Sequence, residues 1–398
     1  MSTSTTAGAA PGGAAAGAAT GGDVWSSLVG QRHAVEVLRR AVAGPGMTHA
    51  WLFTGPPGSG RSNAALAFAA ALQCPAGGCG HCHACLTSLA GSHPDVSVTR
   101  SETSVLYIDD MRELVHRSAL SPVERRWQIM VIEDADRLGE RTGNTLLKAI
   151  EEPTPKTVWL LCAPTLEDVL PTIRSRCRNV SLTTPTAAEV AEFLRARHGV
   201  PDGIAWFAAR ASQGHIGRAR ALAVDEETRN RRREVIAIPA RLTSLGACMN
   251  AAENLNDIAK QETTAITEET NAREARELDA LYGDDRKARS SRSYKAALKE
   301  LTESQKQRGK RRVLDVVDRC LMDMLSVYRD AIALATGADG PLVNEEIRAE
   351  VSDIARRSSP EENLRRIDAI FTAREQMMEF NTPPLLALES MMVSLRIR

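Results

Sequence analysis

The sequence predicts an α/β domain with a parallel sheet, followed by a small helical domain and a larger all-α C-terminal domain. Three observations predict this order. A glycine-rich loop at residues 55–62 separates an apolar run from an alanine-rich stretch, as in a strand, loop and helix unit. Apolar runs at 127–132 and 157–162 have the length of buried strands. Beyond residue 187 the apolar positions recur mainly at helical spacing.

The glycine-rich loop reads Gly-Pro-Pro-Gly-Ser-Gly-Arg-Ser and has the spacing of a phosphate-binding loop, or P-loop. Its glycines can adopt positive φ and leave room for a polyphosphate, while the N–H groups of the following helix point at the anion. Ser62 would face Mg²⁺. The predicted nucleotide-binding residues are Gly55, Gly58, Ser59, Gly60, Arg61 and Ser62.

Arg61 stands where a nucleotide hydrolase normally has lysine. A guanidinium is wider and planar, whereas lysine offers a compact point charge, so the exchange is not conservative. We predict that binding of ATP or ADP with Mg²⁺ can survive and that efficient hydrolysis does not. A Gly-Pro turn without any ligand is the alternative.

Length and composition set broad limits. A chain of 398 residues is long enough for two or three domains. Lys and Arg number 50 against 50 Asp and Glu, so any polyanion must be met by a local patch rather than by the total charge. No apolar stretch approaches the ~20 residues that span a bilayer. Residues 1–22 lack the features of a signal peptide, which favours a disordered tail on a cytoplasmic protein.

Four of the eight cysteines fall in one short segment with the spacing C-x4-C-x2-C-x2-C. Such turns let thiolates converge on one tetrahedral Zn²⁺, and a closed shell of four sulfurs is typical of a structural site. A disulfide cluster is the alternative, which a cytoplasmic chain disfavours. The predicted zinc ligands are Cys74, Cys79, Cys82 and Cys85.

An acidic pair, Glu133 and Asp134, ends the apolar run at 127–132. In a P-loop ATPase the first acid of such a pair supports Mg²⁺ and the second polarises the attacking water. The usual order is Asp then Glu, and a misplacement of about 1 Å can cost about 10²-fold in rate. The reversed order is a second argument against hydrolysis. An acidic turn that caps a helix is the alternative.

Ser175-Arg176-Cys177 resembles the Ser-Arg-Cys signature of clamp-loader ATPase subunits. Residues 23–225 as a whole resemble the delta-prime subunits of bacterial DNA polymerase III, which belong to the clamp-loader AAA+ family. The motifs that carry the resemblance are Val29-Gly30-Gln31, the P-loop, the four-cysteine knuckle, Glu133 to Asp136, Asn144 to Pro153, and Ser175 to Cys177. The related gamma/tau subunits need a Lys-Ser loop and an Asp-Glu pair, so the substitutions here favour delta-prime.

The resemblance implies a stator with little or no ATP hydrolysis of its own. Arg176 would be an arginine finger that reaches into a neighbouring subunit's ATP site, and Arg218 would match the lid arginine that senses nucleotide. The implied partners are gamma/tau and delta subunits in a hetero-oligomer that loads the sliding clamp onto primed DNA. For Arg176 a solvated basic edge is the alternative, and for Arg218 a capping or surface role.

The resemblance also names the domains. We expect a disordered tail at 1–22, an AAA+ P-loop α/β domain at 23–182 with a zinc knuckle at 74–85, a helical lid at 183–228 and a helical collar at 229–398. Helices are expected at 187–198, 204–211 and 217–224. A charged arm at about 250–312 is either a solvated helical arm or a basic stripe that meets DNA phosphates or another subunit.

Two other functions stay open. The first is an active gamma/tau-like ATPase that tolerates arginine in its P-loop. The second is a zinc-knuckle nucleic-acid binding protein with a vestigial P-loop. Zero net charge and an aromatic content of 4% argue against the second, because strand binding uses both phosphate contacts and base stacking.

Overall fold

The computed structural model describes residues 22–100, 106–124, 126–282 and 291–396. The predicted tail therefore lies almost wholly outside the described residues, as do residues 283–290 of the predicted charged arm. In the described part of the chain, no helix combines the length and the apolar character needed to cross a membrane.

A five-stranded, all-parallel sheet forms the first part of the molecule, in the order β2-β3-β4-β1-β5. Three of its strands are buried along their whole length, which explains their uninterrupted apolar sequences. The predicted α/β class with a parallel sheet is confirmed. The strands are β1 (Ala50–Thr54), β2 (Val96–Thr99), β3 (Gln128–Ile132), β4 (Thr157–Ala163) and β5 (Arg178–Ser181).

Helices cover both faces of the sheet. One face packs against the alanine-rich helix that follows the P-loop, around Trp51, Phe53 and Phe68. The other face packs against two helices around Met111 and Leu146. The helices of this part are α1 (Arg32–Val42), α2 (Arg61–Gln73), α3 (His83–Ala90), α4 (Ile108–Ser118), α5 (Glu140–Glu151) and α6 (Pro171–Arg174).

A three-helix unit comes next, with α7 (Ala187–His198), α8 (Asp202–Ser212) and α9 (Ile216–Val224). It has a core of its own, built mostly from alanines and Leu194 and Leu222. A capping box at Thr186 and Glu189 begins α7, and Gly199 in the left-handed region ends it.

The C-terminal part is entirely helical within the described residues and has a fourth core, centred on Val317, Leu321, Met324 and Tyr328. These residues form the apolar face that the sequence pattern predicts. The helices are α10 (Glu226–Arg241), α11 (Leu245–Tyr282), α12 (Arg292–Thr336), α13 (Arg348–Arg357), α14 (Pro360–Met378) and α15 (Pro384–Leu395).

α11 and α12 are 38 and 45 residues long and pair antiparallel. Tyr282 packs edge-on against Tyr294 near one end of the pair, and Arg319 donates to Glu262 at 2.6 Å further along. Residues 264–282 and 291–315 include no buried side chain among those described. We call these two segments the arm.

Candidate functional site

The P-loop connects β1 to α2 and packs tightly against its surroundings. Gly55 has φ +156° and Gly58 has φ +85°. A Cβ on Gly55 would lie 2.6 Å from the Leu182 carbonyl oxygen, and one on Gly58 would lie 2.6 Å from His215 Cβ. Both positions therefore require glycine, and the loop touches the start of α9.

The loop has the features of an anion site. Gly60, with φ +91°, is the N-cap of α2, so the first N–H groups of a 13-residue helix face the loop. Ser59 is 4% exposed, and its hydroxyl oxygen has no hydrogen-bond partner within the described residues. An orphaned buried hydroxyl fits a ligand that supplies the missing partner. Ser62 lies in the first turn of α2.

Arg61 is turned back onto its own loop. Its Nη1 donates to the Gly55 carbonyl oxygen at 2.8 Å. The side chain that should reach the β and γ phosphates is thereby hydrogen-bonded to the loop's first residue. This contact agrees with the prediction that Arg61 does not act as lysine does.

The acidic pair lies at the carboxyl end of β3, as expected, but Glu133 already has a partner. Arg100 donates two hydrogen bonds to its carboxylate, from Nε to Oε2 at 2.6 Å and from Nη2 to Oε1 at 2.9 Å. The Glu133 side chain is 8% exposed. Donating to the Glu133 carboxylate raises the pKa of Arg100, against the opposing effect of burial. The carboxylate expected to support Mg²⁺ is thus neutralised within the chain.

Sequence reasoning missed Arg100. It follows β2, which the structure places beside β3, and β2 was not predicted because Val-Ser-Val-Thr is short. Its alternation of apolar and hydroxyl residues was the available signal.

Asp134 lies 4.0 Å from Arg137, and burial raises the pKa of Asp136 while Arg137 and Arg61 oppose the rise.

Gln31, from the Val-Gly-Gln motif, joins the P-loop to the segment that leads into α7. Its Nε2 donates to the Thr183 carbonyl at 2.7 Å, and its Oε1 accepts from the Thr183 N–H at 3.1 Å. Nε2 also lies 3.4 Å from the Ser59 carbonyl oxygen. One buried amide therefore links the loop to the start of the three-helix unit.

Arg218 lies on α9 but is directed toward the C-terminal helices. Its guanidinium pairs with Asp323 on α12, and Arg232 Nε lies 3.3 Å from the same carboxylate. Arg232 also donates to Asn344 Oδ1 at 2.6 Å and pairs with Glu346. The predicted nucleotide sensor is thus occupied in a largely buried ionic network. A cavity of about 620 Å³, lined by Pro57, His215 and Arg218 among others, lies beside it.

Arg176 lies at the surface, after α6. It donates to the Thr172 carbonyl at 2.7 Å and pairs with Glu151 at the end of α5. The neighbouring arginines, Arg174 and Arg178, make different contacts. Arg174 donates to the Leu166 carbonyl at 3.3 Å, and Arg178 donates to the Gly46 carbonyl at 2.6 Å and lies 5.1 Å over the Trp51 ring. The three arginines are therefore not equivalent members of a solvated edge.

The four predicted zinc ligands come together. Their Sγ atoms all lie within 4.8 Å of one another. Cys74 Sγ is 3.6 Å from Cys79 Sγ and 3.7 Å from Cys82 Sγ. Tetrahedral ligands at about 2.3 Å from zinc lie roughly 3.8 Å apart, whereas a disulfide needs about 2.05 Å. The spacing fits a metal and excludes a bond between these sulfurs, so the cluster could hold zinc.

The chain around the cluster suits thiolates. Although burial alone would raise the pKa of Cys74, hydrogen bonds from the backbone N–H groups of Cys79, Gly78 and Ala76 lower it to about 6.

The knuckle also contacts residues 22–24. Val24 N–H donates to the Gly78 carbonyl at 3.0 Å, and a Cβ on Gly80 would lie 2.2 Å from the Gly22 carbonyl oxygen.

Comparison with known proteins finds relatives for the part of the chain that contains this site. Residues 30–186 match the family model described as DNA polymerase III, delta subunit. The delta-prime subunit of Pseudomonas aeruginosa DNA polymerase III is 36% identical over 152 residues, which are 37% of this chain and 46% of that protein. The gamma/tau subunit of Mycobacterium tuberculosis is 32% identical over 157 residues, 38% of this chain and 27% of that protein.

This chain spans less than half the length of these curated relatives. Among solved structures, a DNA polymerase III gamma subunit-related protein from Thermotoga maritima is 15% identical, with a TM-score of 0.37, and covers 73% of this chain and 98% of its own. Residues 30–186 of this chain are thus similar to DNA polymerase III subunits, among them the delta-prime subunits.

Proposed function

We propose that this chain is a clamp-loader subunit that acts as a stator. It hydrolyses little or no ATP itself and supplies Arg176 to the ATP site of a neighbouring gamma/tau-type subunit. With a delta subunit, the assembly opens the sliding clamp and places it on primed DNA. The division at 23–182, 183–228 and 229–398 into α/β domain, lid and collar is part of the proposal.

The observation that carries the proposal is the ion pair between Arg100 and Glu133. A carboxylate that holds Mg²⁺ must present its oxygens to the metal, yet both oxygens of Glu133 accept from one guanidinium. Arg61 is likewise hydrogen-bonded to Gly55. Phosphoryl transfer depends on positioned charges at these two places. Bound ATP or ADP would contact the P-loop N–H groups and the Ser59 hydroxyl, while the charges that drive hydrolysis are engaged elsewhere.

The contact between Arg218 and Asp323 supports the stator part of the proposal. A lid arginine that senses nucleotide must be free to approach it. Here the same side chain is 13% exposed and joins the lid to the collar through a carboxylate that is 4% exposed. Breaking a buried ion pair by removing one partner typically costs about 3–5 kcal/mol. The lid is therefore held to the collar rather than set to respond to nucleotide.

Arg176 supports the action on a neighbour. It is held at the surface by Glu151, and its side chain remains 37% exposed. An arginine finger stabilises charge that develops on the transferred phosphoryl group and contributes about 10³ to 10⁵ in rate. Its exposure distinguishes Arg176 from the buried Arg218, and a phosphate of a neighbouring subunit would compete with Glu151 for the guanidinium.

The C-terminal helices offer a surface for partners. Leu364 and Phe371 on α14 are exposed and seven residues apart, and so are Leu386 and Val393 on α15. A spacing of seven puts each pair on one helix face, and α14 packs against α15. Exposed apolar side chains that gather on one surface often mark sites of association. This surface supports assembly of the collar with gamma/tau and delta subunits. The zinc ion would be structural, because four thiolates leave no open position.

The test is a reconstituted loader with a gamma/tau-type ATPase, a delta subunit, clamp and primed DNA. Arg176→Ala is expected to lower ATP turnover at least 10²-fold while the assembly forms normally. Arg174→Ala is the matched control, since its guanidinium contacts only its own chain's backbone among the described residues. Unchanged ATP turnover in an assembled Arg176→Ala complex would refute the role of Arg176 as an arginine finger.

The gamma/tau-like alternative has its own test, because relatives of that kind match at 32% identity. Steady-state turnover by the purified chain, abolished by a change at Arg61, would make this protein a motor and would refute the stator role.

A further inference from the structure

α12 carries a stripe of five exposed basic side chains on its arm portion. At 100° per residue they fall within a sector of about 60° around the helix axis. All five are exposed. We call them the basic stripe: Arg292, Lys295, Lys299, Lys306 and Lys310.

The stripe faces away from α11. The side chains that contact α11 lie on the far side of α12: Tyr294 packs on Tyr282, Gln305 donates to the Asn271 carbonyl at 3.2 Å, and Arg308 pairs with Glu274. The acidic residues of α11 thus neutralise a different set of cations. The zero net charge of the whole chain conceals this separation.

Little within the chain neutralises the stripe. Among the described residues, the stripe forms one ion pair with a carboxylate, between Lys306 and Glu303. The nitrogen and oxygen are 3.9 Å apart, and both side chains are more than half exposed. Such a pair contributes little. A groove of about 910 Å³ lies beside the stripe, but Asp110, Glu113 and Glu300 line it as well as cations. Lys299 and Glu303 also line this groove, whereas the other four residues of the stripe do not.

We propose that the basic stripe binds the phosphate backbone of double-stranded DNA. The stripe runs from Arg292 to Lys310, a rise of about 27 Å along the helix axis, which is the length of roughly 8 base pairs at 3.4 Å each. One strand winds about three quarters of a turn over that length, so cations on one face of a straight helix would meet phosphates of both strands across a groove. Between Arg292 and Lys310 the one aromatic side chain of α12 is Tyr294, which packs on Tyr282, whereas single-strand binders stack bases on available rings. The stripe therefore binds a duplex without reading its sequence.

This inference does not depend on the stator role, since the arm is tested in the purified full-length chain with no ATPase present. The probe is a fluorescent 20-base-pair duplex of arbitrary sequence in 50 to 200 mM KCl. Five phosphate contacts predict a slope of about −4.5 in log affinity against log salt, so affinity falls about 10²- to 10³-fold over that range. A duplex of about 5 base pairs cannot reach all five cations and is expected to bind with a shallower slope.

The decisive variant changes all five stripe residues to Gln, which has nearly the same helix propensity as Lys and Arg. It is expected to lose at least 10²-fold in duplex affinity at 50 mM KCl. The matched control removes five exposed arginines elsewhere, with the same change of charge: Arg32, Arg40, Arg220, Arg357 and Arg365 to Gln. A second variant with the four stripe lysines changed to Arg keeps the charge and is expected to retain binding.

Equal losses in the stripe variant and the control would reduce the effect to net charge and overturn the proposal. Failure of the wild-type chain to bind duplex would also overturn it. If polyglutamate bound the stripe and duplex did not, the occupant would be an acidic protein instead. Far-UV circular dichroism of each variant establishes that the arm remains helical.

Discussion

The shared carboxylate of Asp323 offers a direct test of how the three-helix unit, the proposed lid, is attached to the C-terminal helices, the proposed collar. It is buried and contacts two guanidinia, those of Arg218 and Arg232. Asp323→Ala leaves both cations without this partner in a region that water reaches poorly. We expect the variant to lose stability in the lid and the collar together, since the two parts share the network.

The magnitude follows from the geometry. Removing one partner of a buried ion pair costs about 3–5 kcal/mol. Arg232 keeps Glu346 and Asn344, and Arg218 can turn partly toward solvent, so the lower end applies. A loss of about 3 kcal/mol corresponds to a change of about 10²-fold in the unfolding equilibrium of this region. Asp323→Asn keeps an acceptor oxygen and is expected to recover part of the loss.

Urea denaturation followed by circular dichroism measures the loss, and hydrogen exchange in α9 and α12 locates it. Asp353→Ala is the matched control on the collar. Asp353 pairs only with exposed or half-exposed arginines at 3.4 Å, so its removal is expected to change stability by less than about 1 kcal/mol. If Asp323→Ala were as stable as this control, the network would not join lid to collar and the argument for a fixed lid would fail.

Three further predictions concern the P-loop, the knuckle and the lid. Arg61→Lys is expected to strengthen Mg-ATP binding, measured by calorimetry, without restoring phosphate release, because Glu133 stays paired with Arg100; restored turnover would contradict the role given to Arg100. The purified chain is expected to hold one zinc per molecule by elemental analysis, Cys82→Ala to lose it and Cys177→Ala to keep it; equal zinc in both variants would exclude the knuckle as the site. Burial, and to a lesser extent Arg218, lower the pKa of His215, so folding favours the neutral ring. The contribution of the neutral ring to the free energy of unfolding is therefore complete above about pH 6.5. It is lost as the pH falls from 6.5 toward the lowered pKa of the folded state. His215→Asn keeps an acceptor at the start of α9 and should flatten the pH dependence of lid unfolding between pH 5 and 7; an unchanged slope would assign the titration to another group.

The sequence predicts best where one local pattern decides the structure. The apolar runs at 127–132 and 157–162 form β3 and β4 because strands buried on both faces need uninterrupted apolar side chains. The cysteine spacing likewise brings four sulfurs together. The P-loop glycines adopt the positive φ angles that the motif requires.

Contacts between segments that are distant in the sequence could not be predicted from local patterns. Arg100 meets Glu133 only because β2 pairs with β3, and nothing near Arg100 indicates that neighbour. Arg218 was assigned from a lid motif to nucleotide sensing, but its partner Asp323 lies 105 residues away on a helix that the motif does not include. The arm was predicted as charged and helical. Its division into an inner paired face and an outer basic face required the register between α11 and α12.

The zinc knuckle has a consequence for the chain that precedes it. Gly22 and Val24 rest on the knuckle's glycine turns, and Gln31, a few residues later, is bonded to Thr183. Oxidation of the cysteines would release any metal and with it this turn. A redox event at the surface would then reach the junction of sheet and lid through fewer than ten residues. Faster cleavage by a protease near residue 23 after oxidation would report this release.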